Sequence, residues 1–255
     1  MRLHLEEWGD PALPTVVCVH GITAHGRRFE RLARDRLVRR FHVVAPDLRG
    51  HGRSGAEPPW TIEQHLDDLL ESAPADARLW VGHSFGGRLV LELAARRPER
   101  IDRGVLLDPA IWVPPQHALE RAEDMCRDRS YGSVGEAVDA RLAEGAVLSA
   151  PRALVEEDFE AHLAPTDDGR LRLRFTRSAV VAAYSELSRT PPQERLTVPL
   201  LVARAAHGDV CPPVLVDAYR ETAGDLLEAT ELPGGHIVMW DALDETADAI
   251  EGFLR

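Results

Sequence analysis

Residues 78–93, RLWVGHSFGGRLVLEL, pass from an apolar strand-like stretch into an apolar helix through Gly82-His83-Ser84-Phe85-Gly86-Gly87. A plain strand-to-helix turn needs one glycine, or two. Here small residues flank Ser84 two positions before it and two after, at Gly82 and Gly86. The spacing predicts a turn tight enough to hold the serine in a strained backbone conformation, tolerable only where the neighbours lack clashing side chains. Its consequence is an exposed hydroxyl beside a helix amino terminus, where backbone N–H groups stabilise negative charge.

Apolar runs recur along the rest of the chain with helical patterns between them. TVVCVH (15–20), FHVVAP (41–46), RLWVGH (78–83), RGVLLD (103–108), PLLVAR (199–204) and LLEATELP (226–233) are near-continuous and rich in Val and Leu. Such runs suit strands buried on both faces of a parallel sheet. Intervening segments such as FERLARDRLVRR and IEQHLDDLLESA show helical spacing. The alternation predicts an α/β fold with a mostly parallel, doubly wound sheet. LHLEEWG near the start reads as an antiparallel edge strand.

The alternation breaks between about 111 and 194, where HALERAEDMCRDR, SVGEAVDARLAEG, RALVEEDFEAHL and RSAVVAAYSELS are helical and more polar. VPPQ and TPPQ bound this region. The expected organisation is a core domain formed by 1–110 and 195–255, with a helical lid inserted at 111–194.

Composition excludes several classes of partner and chemistry. The 255 residues carry a formal net charge of −12, which argues against nucleic acid or anionic membrane surfaces. No run approaches a membrane span, and the opening MRLHLEEWGDP has no apolar core of signal-peptide length, so the default reading is cytoplasmic. Cys18, Cys126 and Cys211 are an odd count in a long chain, and no disulfide framework is expected. The sequence contains no lysine, which rules out Schiff-base chemistry on a lysine and a phosphate-loop lysine. His20 and His25 make no metal site without a third ligand, and none is evident.

The chain resembles the α/β-hydrolase fold family over nearly its whole length, more weakly across the lid. VCVHGITAHGRRF (17–29) is similar to the family's His-Gly loop, and APDLRGHGRSG (45–55) to its structural loop after the next strand. VGHSFGGRLVLELAARRPERI resembles the nucleophile elbow and its helix, PLLVARAAHGDVCPP the turn carrying the acid, and LPGGHIVMWD the loop carrying the histidine. The resemblance implies a catalytic Ser84, a base at His236 and an acid at Asp209, in the chain order of this fold. One departure stands out, since Ala205-Ala206-His207-Gly208 precede Asp209 where the family often has an early glycine. Asp108, ending RGVLLD, is the competing acid, because some members place it there. The resemblance also implies an oxyanion hole from the backbone N–H groups of Ile22 and Phe85. It assigns His20 a structural role and gives His51 and His83 turn-shaping, packing positions. A pocket lined by Ile22, Phe85, Trp112, Val210 and Ile237 is expected.

The implied reaction is hydrolysis of a small-molecule carboxylic ester through an acyl-enzyme, with neither metal nor organic cofactor. Serine at the elbow, where dehalogenase and epoxide-hydrolase relatives carry aspartate, argues against those two activities. Lactonase, thioesterase, carbon–carbon bond hydrolase and perhydrolase activities use the same triad and stay open, as does a non-catalytic ligand-binding role.

Overall fold

The six apolar runs and the edge run fold as strands of one sheet, seen in a computed structural model that describes residues 1–127, 129–144 and 149–255. The first part of the chain forms β1 (Leu5–Trp8), β2 (Thr15–Val19), α1 (Glu30–Asp35), β3 (His42–Pro46), α2 (Ile62–Ser72), β4 (Leu79–His83), α3 (Phe85–Arg96) and β5 (Arg103–Leu107). The segment after β5 forms α4 (Pro115–Cys126), α5 (Val134–Ala143), α6 (Arg152–His162), β6 (Leu163–Pro165), β7 (Leu171–Leu173) and α7 (Arg177–Leu187). The chain then returns through β8 (Leu200–Ala205), α8 (Pro213–Ala223), β9 (Leu227–Leu232), α9 (Val238–Asp241) and α10 (Leu243–Phe253).

The seven-stranded sheet has the order β1-β3-β2-β4-β5-β8-β9. β1 pairs antiparallel with β3 at one edge and every other pairing is parallel. Successive residues of a strand face opposite sides, and here both sides are covered. Val16 and Cys18 of β2 join one apolar cluster with Phe29, Leu32 and Ile250. Val17 and Val19 join the other, with Ile62, Leu66 and Leu89. This two-sided burial explains the continuous apolar runs, where a half-exposed sheet would alternate.

Register decides what meets at the carboxyl edge. Val19 of β2 pairs with Gly82 of β4, and His83 pairs with Leu107 of β5. Two residues past Val19, and one past His83 and Leu107, come Gly21, Ser84 and Asp108, which therefore fall side by side. The helical insertion docks on loops at this same edge. Thr176 N–H donates to the Gly50 carbonyl at 2.7 Å, His51 bridges to Phe175, and Asp158 of α6 pairs with Arg28 of the loop after β2. The β6–β7 hairpin, turning at Asp168 and at Gly169 with φ +78°, was not anticipated among the helical patterns. Its three-residue strands are too short for periodicity to distinguish. Among the described residues, no helix is long and apolar enough to cross a membrane.

Candidate active site

Ser84 stands between β4 and α3 with φ 56° and ψ −117°. Three non-glycine residues of the described chain have positive φ, namely Thr23, Ser84 and Asp108, and all follow strands at the carboxyl edge. Strain concentrated in this way is maintained only where surrounding bonds enforce it. The Ser84 N–H donates to the Leu107 carbonyl at 3.1 Å, and its own carbonyl accepts from the N–H groups of Arg88 (3.2 Å) and Ala110 (3.0 Å). The flanking glycines are required by close approach. A Cβ on Gly82 would lie 2.3 Å from the Gly86 carbonyl oxygen, and one on Gly86 would lie 2.1 Å from that of Val19.

His236 follows Gly234-Gly235 in the loop after β9, with its side chain 20% exposed. Its Nδ1 donates to Asp108 Oδ2 at 2.6 Å. Asp108 is fully buried, and its second oxygen, Oδ1, accepts from the Ala205 N–H at 2.9 Å. The carboxylate on His236 Nδ1 is thus that of Asp108, and not that of Asp209, which was expected there. Asp209 is exposed and makes no hydrogen bond to His236 among the described residues. The reason lies in the turn after β8. The N–H groups of Ala206 and His207 donate to the Leu232 and Gly234 carbonyls, extending the pairing toward β9 and carrying Asp209 past the site. Gly208 in that turn covers Asp108, with its Cβ position 2.9 Å from Oδ2.

The His236 ring packs beside His83, with centroids 4.7 Å apart, and His83 Nε2 donates to the His236 carbonyl at 2.8 Å. No direct hydrogen bond joins Ser84 Oγ to His236 among the described residues. Free enzymes commonly show such catalytic bonds long, tightening only with substrate.

On the other flank of Ser84, Gly21 leaves a gap. A Cβ there would lie 2.8 Å from Ser84 Cβ and 3.2 Å from Oγ. Ile22 follows Gly21 and Phe85 follows Ser84 in sequence, and neither N–H has an acceptor among the described residues. Phe85 is the first residue of α3, where an N–H has no partner within the helix. His20 holds this loop in place. Its Nδ1 donates to the Gly21 carbonyl at 2.7 Å and its Nε2 accepts from the Leu48 N–H at 2.9 Å. Burial, reinforced by neighbouring His51, keeps the His20 pKa well below the ordinary histidine value.

The expected pocket residues divide. Ile22, Phe85 and Val210 share one apolar cluster, whereas Ile237 is buried in the cluster on the opposite face of the sheet. Trp112 is half-buried at the entry to the insertion, its Nε1 donating to the Ser188 carbonyl at the exit, 3.3 Å away. The strand and loop patterns do not reveal a buried charged cluster where the insertion meets the loop after β2. There Asp158 pairs with Arg28 Nη2 at 2.8 Å and with His25 Nε2 at 3.0 Å, and the Arg28 guanidinium lies over Trp240. A cavity of about 690 Å³ adjoins this cluster, lined by His25, Arg28, Arg31, Leu154 and Trp240 among others, and none of Ser84, Asp108 and His236 lines it.

Residues 14–243 match the family model described as alpha/beta hydrolase fold. The chain is 32% identical to a lipase, LipV, of Mycobacterium tuberculosis over 99% of this chain and 97% of that one. It is 34% identical to the mouse sn-1-specific diacylglycerol lipase ABHD11 over 96% of this chain and 82% of the relative. Among solved structures, E-2-(acetamidomethylene)succinate hydrolase superposes with a TM-score of 0.84 at 26% identity, covering 99% of this chain and 94% of that one.

Proposed function

The chain belongs to the α/β-hydrolase fold family and is a hydrolase, and from that premise we propose that it cleaves small-molecule carboxylic esters through Ser84, His236 and Asp108. The observation that carries the reading is the 2.6 Å bond from His236 Nδ1 to a buried Asp108 carboxylate, one strand away from a strained serine.

With Nδ1 donating to Asp108, the neutral imidazole keeps its lone pair on Nε2, the nitrogen that serves as base. His236 Nε2 takes the Ser84 proton as Oγ attacks the ester carbonyl. The tetrahedral oxyanion is received by the Ile22 and Phe85 N–H groups in the gap kept open by Gly21. His236 then protonates the departing alcohol, leaving an acyl-enzyme on Ser84. It next deprotonates a water that attacks the acyl carbon, and returns that proton to Ser84 as the acid leaves. Asp108 stays ionised throughout and stabilises the imidazolium. Ile22, Phe85 and Val210 contribute to the acyl pocket, with Trp112 at its border. The insertion, docked on loops at the carboxyl edge, acts as a lid that selects the substrate.

Hydrolysis of p-nitrophenyl esters from acetate to octanoate by the parent and by Ser84→Ala tests this reading. The parent turns over and the variant falls by about 10⁴-fold or more. An inert parent, or a variant as active as the parent, overturns it.

A further inference from the structure

His83 precedes Ser84 and is 3% exposed, and its side chain makes one hydrogen bond among the described residues, from Nε2 to the main-chain carbonyl of His236. That bond fixes its tautomer. Nε2 carries the hydrogen, so a neutral His83 presents only a lone pair at Nδ1. Nδ1 is buried without a partner and lies 3.4 Å from the Gly21 Cβ position, facing the gap that also borders Ser84 Oγ. A lone pair there cannot donate to a developing oxyanion. Burial, followed by the neighbouring His236 and the guanidinium charges of Arg28 and Arg141, holds the His83 pKa well below the ordinary value and keeps it neutral.

The loop it holds needs holding. Gly234 has φ +95°, and the Gly235 N–H and Gly234 carbonyl are tied outward, to Asp241 Oδ2 and to the His207 N–H. Two bonds fix His236 itself, one from its side chain to Asp108 and one from its carbonyl to His83. No other donor reaches that carbonyl among the described residues. His83 sits on a central strand whose next residue is Ser84, so the bond links base and nucleophile through one short covalent path.

We infer, building on the triad reading above, that His83 is a positioning residue: its Nε2–H sets the distance between the His236 imidazole and Ser84 by anchoring the His236 main chain to the end of β4. Misplacing a catalytic group by about 1 Å costs on the order of 10²-fold in rate. The loss falls on the chemical step, because the one side-chain donor of His83 is engaged by the His236 carbonyl and none is left to bind substrate.

The experiment compares the parent with His83→Phe, His83→Gln and His83→Asn. Gln carries an amide donor at a reach close to Nε2, and Asn falls short. Two readouts are taken: kcat and KM on p-nitrophenyl acetate, and the second-order rate of Ser84 modification by a fluorophosphonate. The expected result is a tenfold or greater fall in kcat and in labelling rate for Phe and Asn, KM within about twofold, and substantial recovery for Gln. Thermal melting identifies a variant that fails to fold. If Phe does, the Gln and Asn pair decides alone. Equal rates for Gln and Asn, or a Phe variant as fast as the parent, overturn the inference. A parent inert toward both ester and fluorophosphonate overturns the triad reading instead.

Discussion

Replacing Asp108 by Asn tests the acid assignment through a specific chemical consequence. Asp108 Oδ1 accepts from the Ala205 N–H at 2.9 Å, so the Asn carbonyl oxygen must keep that place. The amide NH₂ then faces His236 Nδ1 where Oδ2 now accepts at 2.6 Å. A donor opposite Nδ1 forces the ring's hydrogen onto Nε2, which can no longer take the serine proton. Loss of the correct tautomer with geometry intact costs roughly 10⁴-fold in kcat in serine triads, so Asp108→Asn falls by about 10³–10⁴. Asp209→Asn removes an exposed carboxylate with no bond to His236 and stays within about twofold, as surface changes generally do. The assay is kcat and KM on p-nitrophenyl butyrate for both variants, with melting curves to verify folding. An Asp108→Asn enzyme that keeps its rate while Asp209→Asn loses it refutes the argument.

Gly21→Ala places a methyl 2.8 Å from Ser84 Cβ, so ester turnover falls by about 10²-fold and urea unfolding registers a loss of roughly 1–3 kcal/mol. Gly86→Ala drives a methyl against the Val19 carbonyl, and urea unfolding registers a loss of roughly 1–3 kcal/mol. Asp158→Asn leaves buried Arg28 and His25 without their carboxylate and costs about 3–5 kcal/mol, read from the same unfolding curves at neutral pH. Burial raises the Asp158 pKa, but Arg28 and His25 outweigh it and hold the carboxyl below its ordinary range. A depressed carboxylate stabilises fully above its unfolded pKa of about 3.9 and loses that contribution as pH falls toward its folded value. The parent therefore loses more stability than Asp158→Asn between about pH 5 and pH 2.

Much of the core was legible because strands buried on both faces write themselves as continuous apolar runs. Ser84 was legible because only small residues fit where a Cβ at 82 or 86 would meet backbone. The acid was not settled locally. Both RGVLLD and PLLVARAAHGD end a strand with a nearby aspartate, and only three-dimensional register separates them. β4 and β5 pair from Leu79↔Arg103 to His83↔Leu107, which brings Asp108 beside Ser84, while the two bonds that continue β8 toward β9 carry Asp209 away. Ile237 packs with Val238 and Trp240 in the cluster on the opposite face from Ile22, Phe85 and Val210, a division that its place next to His236 in sequence does not reveal. The Arg28–Asp158 pair joins residues 130 apart, and no pattern along a chain marks such a meeting. The bond from His83 to His236 spans 153 positions and was hidden for the same reason.

If Ser84 carries the acyl group during turnover, an acyl-enzyme can be trapped on it. Rapid acid quenching of the enzyme with excess p-nitrophenyl acetate, followed by intact-mass and peptide mass spectrometry, tests it most directly. The expected result is a mass increase of one acetyl group, on the peptide containing Gly82-His83-Ser84-Phe85, absent from Ser84→Ala. Acetylation confined to another residue, or undiminished turnover by Ser84→Ala without any adduct, contradicts it.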